Sequence, residues 1–221
     1  MDWQALTLSL KLAAVTLAVL LPLGVWLARW LAYTRFAGKG WIEALVVLPL
    51  VLPPTVLGYY LLVSLGGASP LGRWMAETFG VRLTFNFVGL VLASIIFNVP
   101  FLVQPVQRAF ESIPRQLGEA AAVSGLSGWQ TFWRIELPLA WPGVLSAMVL
   151  TFVHTLGEFG VVLMIGGSIP GETKTIAIAI YDRMQAFDLA SANRMALLLL
   201  ALSLGAVGAS FFASARLAMR R

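Results

Sequence analysis

The sequence predicts an all-α polytopic membrane protein with about five transmembrane helices, an external N-terminus and a cytoplasmic C-terminus. Hydrophobic residues make up 59% of the 221 residues and charged residues only 11%, whereas a soluble domain carries about 25% charged residues. Too few charged residues are therefore available to cover a core that faces water. Five apolar runs also approach the roughly 20 residues that a helix needs to cross the hydrocarbon layer. Segments rich in Gly, Pro and charge separate them.

The five predicted spans form a single transmembrane domain that comprises residues 1–221. In order, they cover about residues 10–31, 43–65, 85–107, 138–165 and 195–215. The first span could instead be the apolar part of a cleaved signal peptide. However, Arg29, Arg35 and Lys39 follow it and no small-residue cleavage site is evident, so we treat it as a membrane span.

Basic residues set the predicted orientation, because cytoplasmic loops carry an excess of Lys and Arg. The cluster after the first span holds that end in the cytoplasm and places the N-terminus outside. Alternation then puts the following basic residues inside: Arg29, Arg35, Lys39, Arg108, Arg115, Arg134, Arg216, Arg220 and Arg221. It puts a smaller group clearly outside: Arg73, Arg82, Lys174, Arg183 and Arg194. The excess on the cytoplasmic side supports this topology.

Residues 108–137, between the third and fourth spans, form a polar loop that is predicted to lie in the cytoplasm and to contain two short helices. Pro114 suits a first helical turn, where its missing N–H needs no intrahelical partner, and Gly125 can end that helix. Residues 127–130 then have the Ser-x-x-Gln pattern of a capping box, which satisfies backbone donors at the start of the next helix. Pro138 is expected to begin the fourth span as a new helix.

One motif in this loop is specific enough to indicate a family. It reads Glu-Ala-Ala, three residues, Gly, nine residues, Ile, one residue and Leu-Pro, and it is carried by Glu119, Ala120, Ala121, Gly125, Ile135, Leu137 and Pro138. The pattern resembles the EAA motif of ABC importer permeases. This resemblance implies a coupling helix that sits in a groove of a cytoplasmic ATPase subunit. The alanines would allow close approach of this helix to the ATPase subunit, and Glu119 could offer a charged contact at the rim of the groove. The alternative interpretation is an ordinary helical hairpin on the membrane surface.

Similarity to one branch of that family extends over nearly the whole chain. Residues 36–40, 48–59, 157–160 and 169–175 are similar to molybdate permeases, with sulfate and tungstate permeases as close relatives. The resemblance implies the type I ABC importer permease fold, a place in the bacterial cytoplasmic (inner) membrane, and import of an oxyanion, foremost molybdate, by alternating access. It also implies a second copy of the chain, two cytoplasmic ATPase subunits and an extracytoplasmic molybdate-binding protein as partners, besides membrane lipid.

Other function classes find little support in the residues. One His, no Cys and no Walker-type lysine loop leave no catalytic or metal-binding constellation. We therefore expect a non-catalytic subunit that binds no cofactor, with ATP-Mg used by the partner ATPase. The net charge of +5 is spread between apolar runs, which does not favour nucleic-acid binding. A stand-alone ion-driven carrier or channel is the remaining rival, but it would leave the polar loop without a purpose.

Two ionisable residues fall within the fourth predicted span, where buried charge is costly. His154 and Glu158 are four residues apart and would share one helix face, so they could pair with each other or face a water-filled path. A proton relay is one interpretation of this pattern. We favour a structural role, with Glu158 near the outer end of its helix or buried at a subunit interface, because a relay normally needs further acidic or imidazole partners.

Prolines and small polar residues mark a candidate translocation path. The three prolines of residues 49–54, and Asn98 with Pro100, interrupt backbone hydrogen bonding within two predicted spans. Such interruptions are typical of helices that line a pathway or bend, and a static kink explains them equally well. The candidate path or gate residues are Thr55, Ser64, Asn98, Thr155 and Glu158. The polar outer segment 166–194, with a surface helix expected at residues 175–185, would face the binding protein.

Overall fold

The computed structural model describes the backbone of residues 1–218 and the side chains of residues 1–212. Arg220, Arg221 and the side chain of Arg216, which the predicted topology places inside, lie outside this described part. Regular secondary structure in the described part is entirely helical. The helices are α1 (Trp3–Tyr33), α2 (Lys39–Val51), α3 (Pro54–Leu65), α4 (Pro70–Phe79), α5 (Phe87–Glu111), α6 (Arg115–Val123), α7 (Gly128–Thr131), a π turn (Phe132–Glu136), α8 (Leu137–Gly157), α9 (Gly160–Gly166), α10 (Ile176–Gln185) and α11 (Leu189–Ala218).

Three long helices, α1, α5 and α8, pack against one another and form the centre of the molecule. α5 contributes the fully buried Leu102, Val106 and Phe110 to a cluster that also contains residues of α1, α2 and α8. Small residues permit close approach of these helices. A Cβ atom on Gly143 of α8 would lie only 2.5 Å from Ala109 Cβ of α5. Van der Waals packing of this kind holds membrane helices together.

Four helices of the described chain are long and apolar enough to cross a membrane by length and composition. They are α1, α5, the continuous helix Gly128–Gly157, and α11. α2 and α3 pass the same test only as a pair, and they meet at an angle of 110°. The second span, predicted as one stretch over residues 43–65, is therefore two helices.

The break between α2 and α3 lies at Leu52 and Pro53, and not at Pro49, which is inside α2. The backbone is extended at both break residues, with ψ angles of 138° and 136°. Each of the two precedes a proline, and a proline ring disfavours the helical conformation of the residue before it. Pro54 then begins α3, at a position where its missing N–H needs no partner.

The bent pair nevertheless reaches from one end of α5 toward the other. Glu43 of α2 accepts a hydrogen bond of 2.7 Å from Gln107 Nε2, near the C-terminal end of α5. Leu57 of α3 packs in a cluster with Ala93 of α5. Residues 93 and 107 are separated by about 21 Å along the helix axis, at about 1.5 Å per residue. This separation supports the interpretation of α2 and α3 as one broken span, so that the described part crosses the membrane five times. The side of the membrane on which each terminus lies stays a prediction.

The third span is a continuous helix. α5 runs through Pro100, which is buried, and ends at Glu111. A proline removes one backbone hydrogen bond, as expected, but surrounding helices can maintain the helical path, so the helix itself is not broken at this site. Residues 108–111 of the predicted loop belong to α5, and residues 128–137 belong to the helix that continues into α8. The connecting loop is shortened to residues 112–127.

The fourth span differs from its prediction, residues 138–165, at both ends. Pro138 does not begin a new helix, because the helix runs on from Gly128 through the π turn into α8. The ring of a helical proline crowds the carbonyl four residues before it, and the wider π turn just before Pro138 gives room for it. At the other end α8 stops at Gly157. Glu158 is extended, with a ψ angle of 126°, and the short helix α9 follows.

The predicted outer segment contains α10, at the position expected for a surface helix over residues 175–185. One face of this helix is buried, since Ile176 and Ala179 are 1% and 2% exposed. Both residues pack in a cluster with Ala5 of α1 and Met195 of α11. α10 is therefore part of the bundle as well as part of its surface.

Candidate functional site

The polar loop presents one helix, α6, that makes few contacts with the bundle. α6 covers Arg115–Val123 and begins after Pro114, which is its N-cap. Ala121 is 3% exposed, whereas Glu119 and Ala120 are exposed. Two of the three Glu-Ala-Ala side chains, including the carboxylate, are therefore accessible to a partner.

Gly125 ends α6, as the sequence predicts. Its φ angle is +76°, in the left-handed region that glycine adopts without a steric penalty. Its N–H donates to Ala122 O and the N–H of Leu126 donates to Ala121 O, each over 3.0 Å. These two bonds form a Schellman motif, which satisfies carbonyl groups at the helix end and reverses the chain.

The predicted capping box is present at the start of α7. Ser127 Oγ accepts a hydrogen bond of 3.3 Å from Gln130 N, and Gln130 Oε1 accepts one of 2.9 Å from Ser127 N. Each side chain satisfies a backbone donor of the other residue. Because the Schellman motif immediately precedes this box, the turn between α6 and α7 is fixed on both sides.

Large apolar side chains are exposed in the same region. Val123 is 91% exposed, Trp129 70% and Trp133 51%. Exposed apolar groups of this size mark surfaces that contact another protein or a membrane when they cluster. We refer to residues 112–136 as the coupling segment, after the coupling helix that the resemblance implies for this loop.

Three residues of the motif lie beyond the exposed loop. Ile135 is in the π turn, and Leu137 and Pro138 begin α8. Ile135 and Leu137 are partly buried, and Leu137 packs against the central cluster. They anchor the coupling segment to the bundle, whereas Glu119 and Ala120 stay accessible.

An unpredicted ion pair joins the coupling segment to α1. Arg29 donates from Nε to Glu136 Oε2 over 2.5 Å and from Nη2 to Glu136 Oε1 over 3.2 Å. The sequence marks Arg29 only as part of a basic flank, and Glu136 is the unspecified residue between Ile135 and Leu137 of the motif. An acidic residue beside the apolar start of α8 is the signal that could have identified it, because a buried charge needs a partner.

Asn98 and His154 form a polar contact between α5 and α8. His154 Nδ1 lies 3.1 Å from Asn98 Oδ1, and Asn98 Nδ2 donates to Ser94 O over 2.8 Å. Because the amide oxygen can only accept, the imidazole hydrogen lies on Nδ1. The His154 ring also stacks on Phe101, with ring centroids 3.8 Å apart. These contacts favour the structural interpretation of His154.

His154 and Glu158 do not pair, because α8 ends at Gly157 and Glu158 leaves the shared helix face. Glu158 is 5% exposed, and its Oε1 accepts a hydrogen bond of 3.2 Å from Val161 N, in the first turn of α9. A carboxylate at this place satisfies an N–H group that has no partner within the helix. The shared helix face that the spacing predicts is therefore wrong, so the two side chains do not pair, whereas Glu158 lies at the end of its helix, as expected.

The predicted path residues fall into two groups. Asn98, Thr155 and Glu158 are buried within the bundle, and Thr155 Oγ1 donates to a backbone carbonyl of its own helix. Thr55 and Ser64 lie at exposed positions of α3. A single chain does not bring the five residues together, and their assignment to a path stays a prediction.

One face of α3 is exposed although the helix belongs to a span. Tyr59, Tyr60 and Val63 are 54%, 60% and 54% exposed. Thr55 precedes Tyr59 by four residues and Ser64 follows Tyr60 by four, so these residues are neighbours on the helix surface. The face therefore combines aromatic rings with hydroxyl groups.

The other side of α3 packs closely on α9 through two glycines. A Cβ atom on Gly58 would lie 2.8 Å from Met164 Cβ and 3.2 Å from the Cα of Val161. A Cβ atom on Gly160 would lie 2.8 Å from Pro54 Cβ. α3 and α9 each follow a break in a span, so the two broken spans contact each other directly at these glycines.

Comparison with known proteins relates the chain to permease components of bacterial transport systems. The family model described as binding-protein-dependent transport system inner membrane component matches residues 21–221. The molybdenum transport system permease protein ModB of Azotobacter vinelandii is 48% identical over 196 residues, which cover 88% of this chain and 86% of that protein. ModB of Escherichia coli (strain K12) is 39% identical over 184 residues, covering 83% and 80%. The sulfate transport system permease protein CysT of the same organism is 35% identical over 183 residues, covering 82% and 65%.

Solved structures share the fold. A chain from a bacterial ABC transporter involved in the import of the acidic polysaccharide alginate has a TM-score of 0.79 at 20% identity, over 96% of this chain and 78% of that chain. A chain of the inward-facing MetNI methionine ABC transporter has a TM-score of 0.69 at 18% identity, over 98% and 94%. At such identities the likeness concerns the fold alone, and it confirms the fold that the sequence predicts.

Proposed function

Because the chain belongs to the family of binding-protein-dependent transport system inner membrane components, we propose that it carries molybdate into the cytoplasm as the permease subunit of an ATP-driven importer. It is a multi-pass inner-membrane permease. Molybdate is favoured over sulfate because two molybdenum transport permeases are 48% and 39% identical to this chain, whereas the sulfate permease is 35% identical.

The coupling segment is the observation that carries this proposal. α6 is exposed on most of its surface, yet hydrogen bonds fix its C-terminal end and the start of the next helix. A rigid element between two membrane spans is suited to transmit a displacement, whereas a slack loop would absorb it. A cytoplasmic ATPase subunit would bind here, with the Glu119 carboxylate at the rim of the contact.

A second copy of the chain would cover the exposed face of α3. Polar side chains such as Thr55 and Ser64 are unfavourable against lipid, and a homodimer would enclose them around a path between the two copies. The importer would then contain two permeases, two ATPase subunits and an extracytoplasmic molybdate-binding protein. ATP with Mg²⁺ would be bound by the ATPase subunits, so that this chain is a non-catalytic subunit without a cofactor.

Transport would proceed by alternating access. Closure of the ATPase pair on ATP would displace the coupling segments and open the path to the outside, and hydrolysis would reset it. The breaks at Pro53 and Glu158 give the two parts of each span room to reorient, as in the discontinuous helices of other transporters. Glu158 fits the role of a helix cap better than that of an anion ligand, since like charges repel.

Uptake of radiolabelled molybdate by the reconstituted importer tests this proposal. We expect uptake to require ATP and the binding protein. Unlabelled molybdate should compete for uptake far better than sulfate does, and tungstate is tested as a third competing anion. Sulfate that competes as well as molybdate would overturn the assigned cargo. Uptake by the permease alone, without ATP, would instead identify a stand-alone carrier or channel.

A further inference from the structure

Arg29 and Glu136 connect the coupling segment to a helix that is remote in the sequence. The two residues are 107 positions apart. Glu136 is the last residue of the π turn, and Arg29 lies in the last turns of α1. The coupling segment continues into α8 through the backbone, whereas it reaches α1 through side chains.

The geometry of the pair is that of a fixed connection. Both oxygens of Glu136 accept from the guanidinium of Arg29, over 2.5 and 3.2 Å. Such a bidentate arrangement sets the relative orientation of the two groups as well as their distance. The guanidinium carbon also lies 5.4 Å from the ring centroid of Phe132 and 5.7 Å from that of Tyr33. One ring belongs to the π turn and the other to α1, so four side chains join these two elements.

Tyr33 extends the connection to α5. Its hydroxyl donates to Phe110 O over 3.4 Å, and Phe110 is fully buried at the end of α5. The Phe110 ring centroid lies 6.2 Å from that of Tyr33 and 6.4 Å from that of Phe132. The ends of α1 and α5 and the π turn therefore meet in one group of side chains, which we call the helix-end cluster: Arg29, Tyr33, Phe110, Phe132 and Glu136.

The burial of Glu136 favours an ion pair that stays closed during transport. The Glu136 side chain is 11% exposed and the Arg29 side chain 33%. Separation of the pair would leave the Glu136 charge without compensation in a poorly hydrated place, which is strongly unfavourable. The pair is therefore suited to stay closed while the coupling segment moves, and to carry the end of α1 with it.

We propose that Arg29 and Glu136 are positioning residues that make α1 move together with the coupling segment. Movement at the ATPase would then reach α8 through the backbone and α1 through the ion pair, so that two spans reorient as one unit. This inference rests on the proposed importer function. It adds that transport requires a side-chain connection between the coupling segment and α1, which the accessible Glu-Ala-Ala residues do not provide.

The test uses the complete reconstituted importer, in which ATP hydrolysis and radiolabelled molybdate uptake are measured in parallel. Arg29→Met and Glu136→Leu each remove one partner of the pair, and the double variant removes both charges and every hydrogen-bonding group of the pair, so that no uncompensated charge stays buried. We expect the double variant to hydrolyse ATP at close to the wild-type rate, while uptake per ATP falls about fivefold or more. Each single variant leaves one charge without its partner, so its loss of uptake per ATP should be at least as large as that of the double variant.

Lys39→Gln is the matched control. Lys39 forms an ion pair of 3.6 Å with Glu43 within α2. Its replacement leaves in place the hydrogen bond that Glu43 accepts from Gln107 of α5, so no contact between helices is lost and uptake per ATP should not change. A double variant with normal uptake per ATP would overturn the inference. A parallel loss of assembled complex, hydrolysis and uptake would also overturn it, because it marks a role in folding only. A wild-type complex that imported no molybdate would overturn the proposed function and this inference together.

Discussion

His154 of α8 is held by Asn98 of α5, whose side-chain oxygen lies 3.1 Å from His154 Nδ1. Asn98 is fully buried, and its amide also donates to Ser94 of its own helix. The Asn98 side chain thus bridges two membrane spans. A hydrogen bond between two spans contributes about 0.5–1.5 kcal/mol to stability, so loss of this bridge can be measured.

Replacement of Asn98 by Ala is expected to destabilise the permease by about 0.5–1.5 kcal/mol, because the partly buried His154 ring then loses its hydrogen-bond partner on α5. Denaturant unfolding of the purified permease in detergent measures the change. Ser146→Ala is a suitable control, since the Ser146 hydroxyl is exposed and donates only to Pro142 O within α8. Equal stability of the Asn98 and Ser146 variants would show that the bridge contributes nothing.

The structural role of His154 predicts that transport does not depend on an ionisable group at this position. His154→Gln keeps a side chain that can donate a hydrogen bond but cannot exchange a proton near neutral pH. We expect molybdate uptake by this variant to follow the wild-type pH profile between about pH 6 and 8. Loss of uptake in a stable His154→Gln permease would favour the proton relay.

Glu158 is predicted to act as a hydrogen-bond acceptor and not as a charge. Its Oε1 accepts from Val161 N at the start of α9, so Glu158→Gln should keep this hydrogen bond, whereas Glu158→Ala should cost about 0.5–1.5 kcal/mol, as for loss of one hydrogen bond. The unfolding free energies of the two variants show whether Glu158 acts as a hydrogen-bond acceptor or through its charge. If Gln were as harmful as Ala, the negative charge itself would be needed.

Local signals explain which parts of this fold were predictable. The left-handed Gly125 and the Ser127–Gln130 capping box each depend on a few consecutive residues, so the sequence contains all the information that they need. Long apolar runs likewise locate the spans, because the thickness of the hydrocarbon layer sets their length.

Features that depend on packing were not predictable in the same way. Pro53 breaks a helix, whereas Pro49 and Pro100 are accommodated inside helices, and the sequence does not contain the neighbouring surfaces that distinguish these cases. The Arg29–Glu136 pair joins residues 107 positions apart. A pattern of local spacing carries no information about such a contact.

The close contact between α3 and α9 predicts that Gly58→Ala is harmful. The added Cβ atom would lie 2.8 Å from Met164 Cβ and 3.2 Å from the Cα of Val161, so the two helices must separate. Overpacking of this kind costs about 1–3 kcal/mol. Gly205→Ala in α11 is the matched control, because a Cβ atom there meets nothing within 4 Å. Thermal unfolding of both variants, with molybdate uptake, measures the effect; equal melting temperatures would contradict the contact.

The coupling segment yields the prediction that bears most directly on the proposed importer. A Cβ atom on Gly125 would meet nothing within 4 Å, so any cost of a side chain at this position comes from its φ angle of +76°. Asn tolerates this left-handed conformation, whereas a β-branched residue does not. Gly125→Val should therefore disturb the reversal after α6, while Gly125→Asn should keep it.

We expect Gly125→Val to insert into the membrane normally but to retain less ATPase on co-purification and to lose molybdate uptake, with Gly125→Asn close to wild type. Glu119→Lys reverses an exposed charge without loss of a described contact, and it should weaken ATPase binding in the same assay. The two variants act through different causes, one through the shape of the turn and the other through charge at its surface. Unimpaired uptake in both would therefore exclude the coupling segment as the site of ATPase docking, because neither its shape nor its charge would then matter for transport.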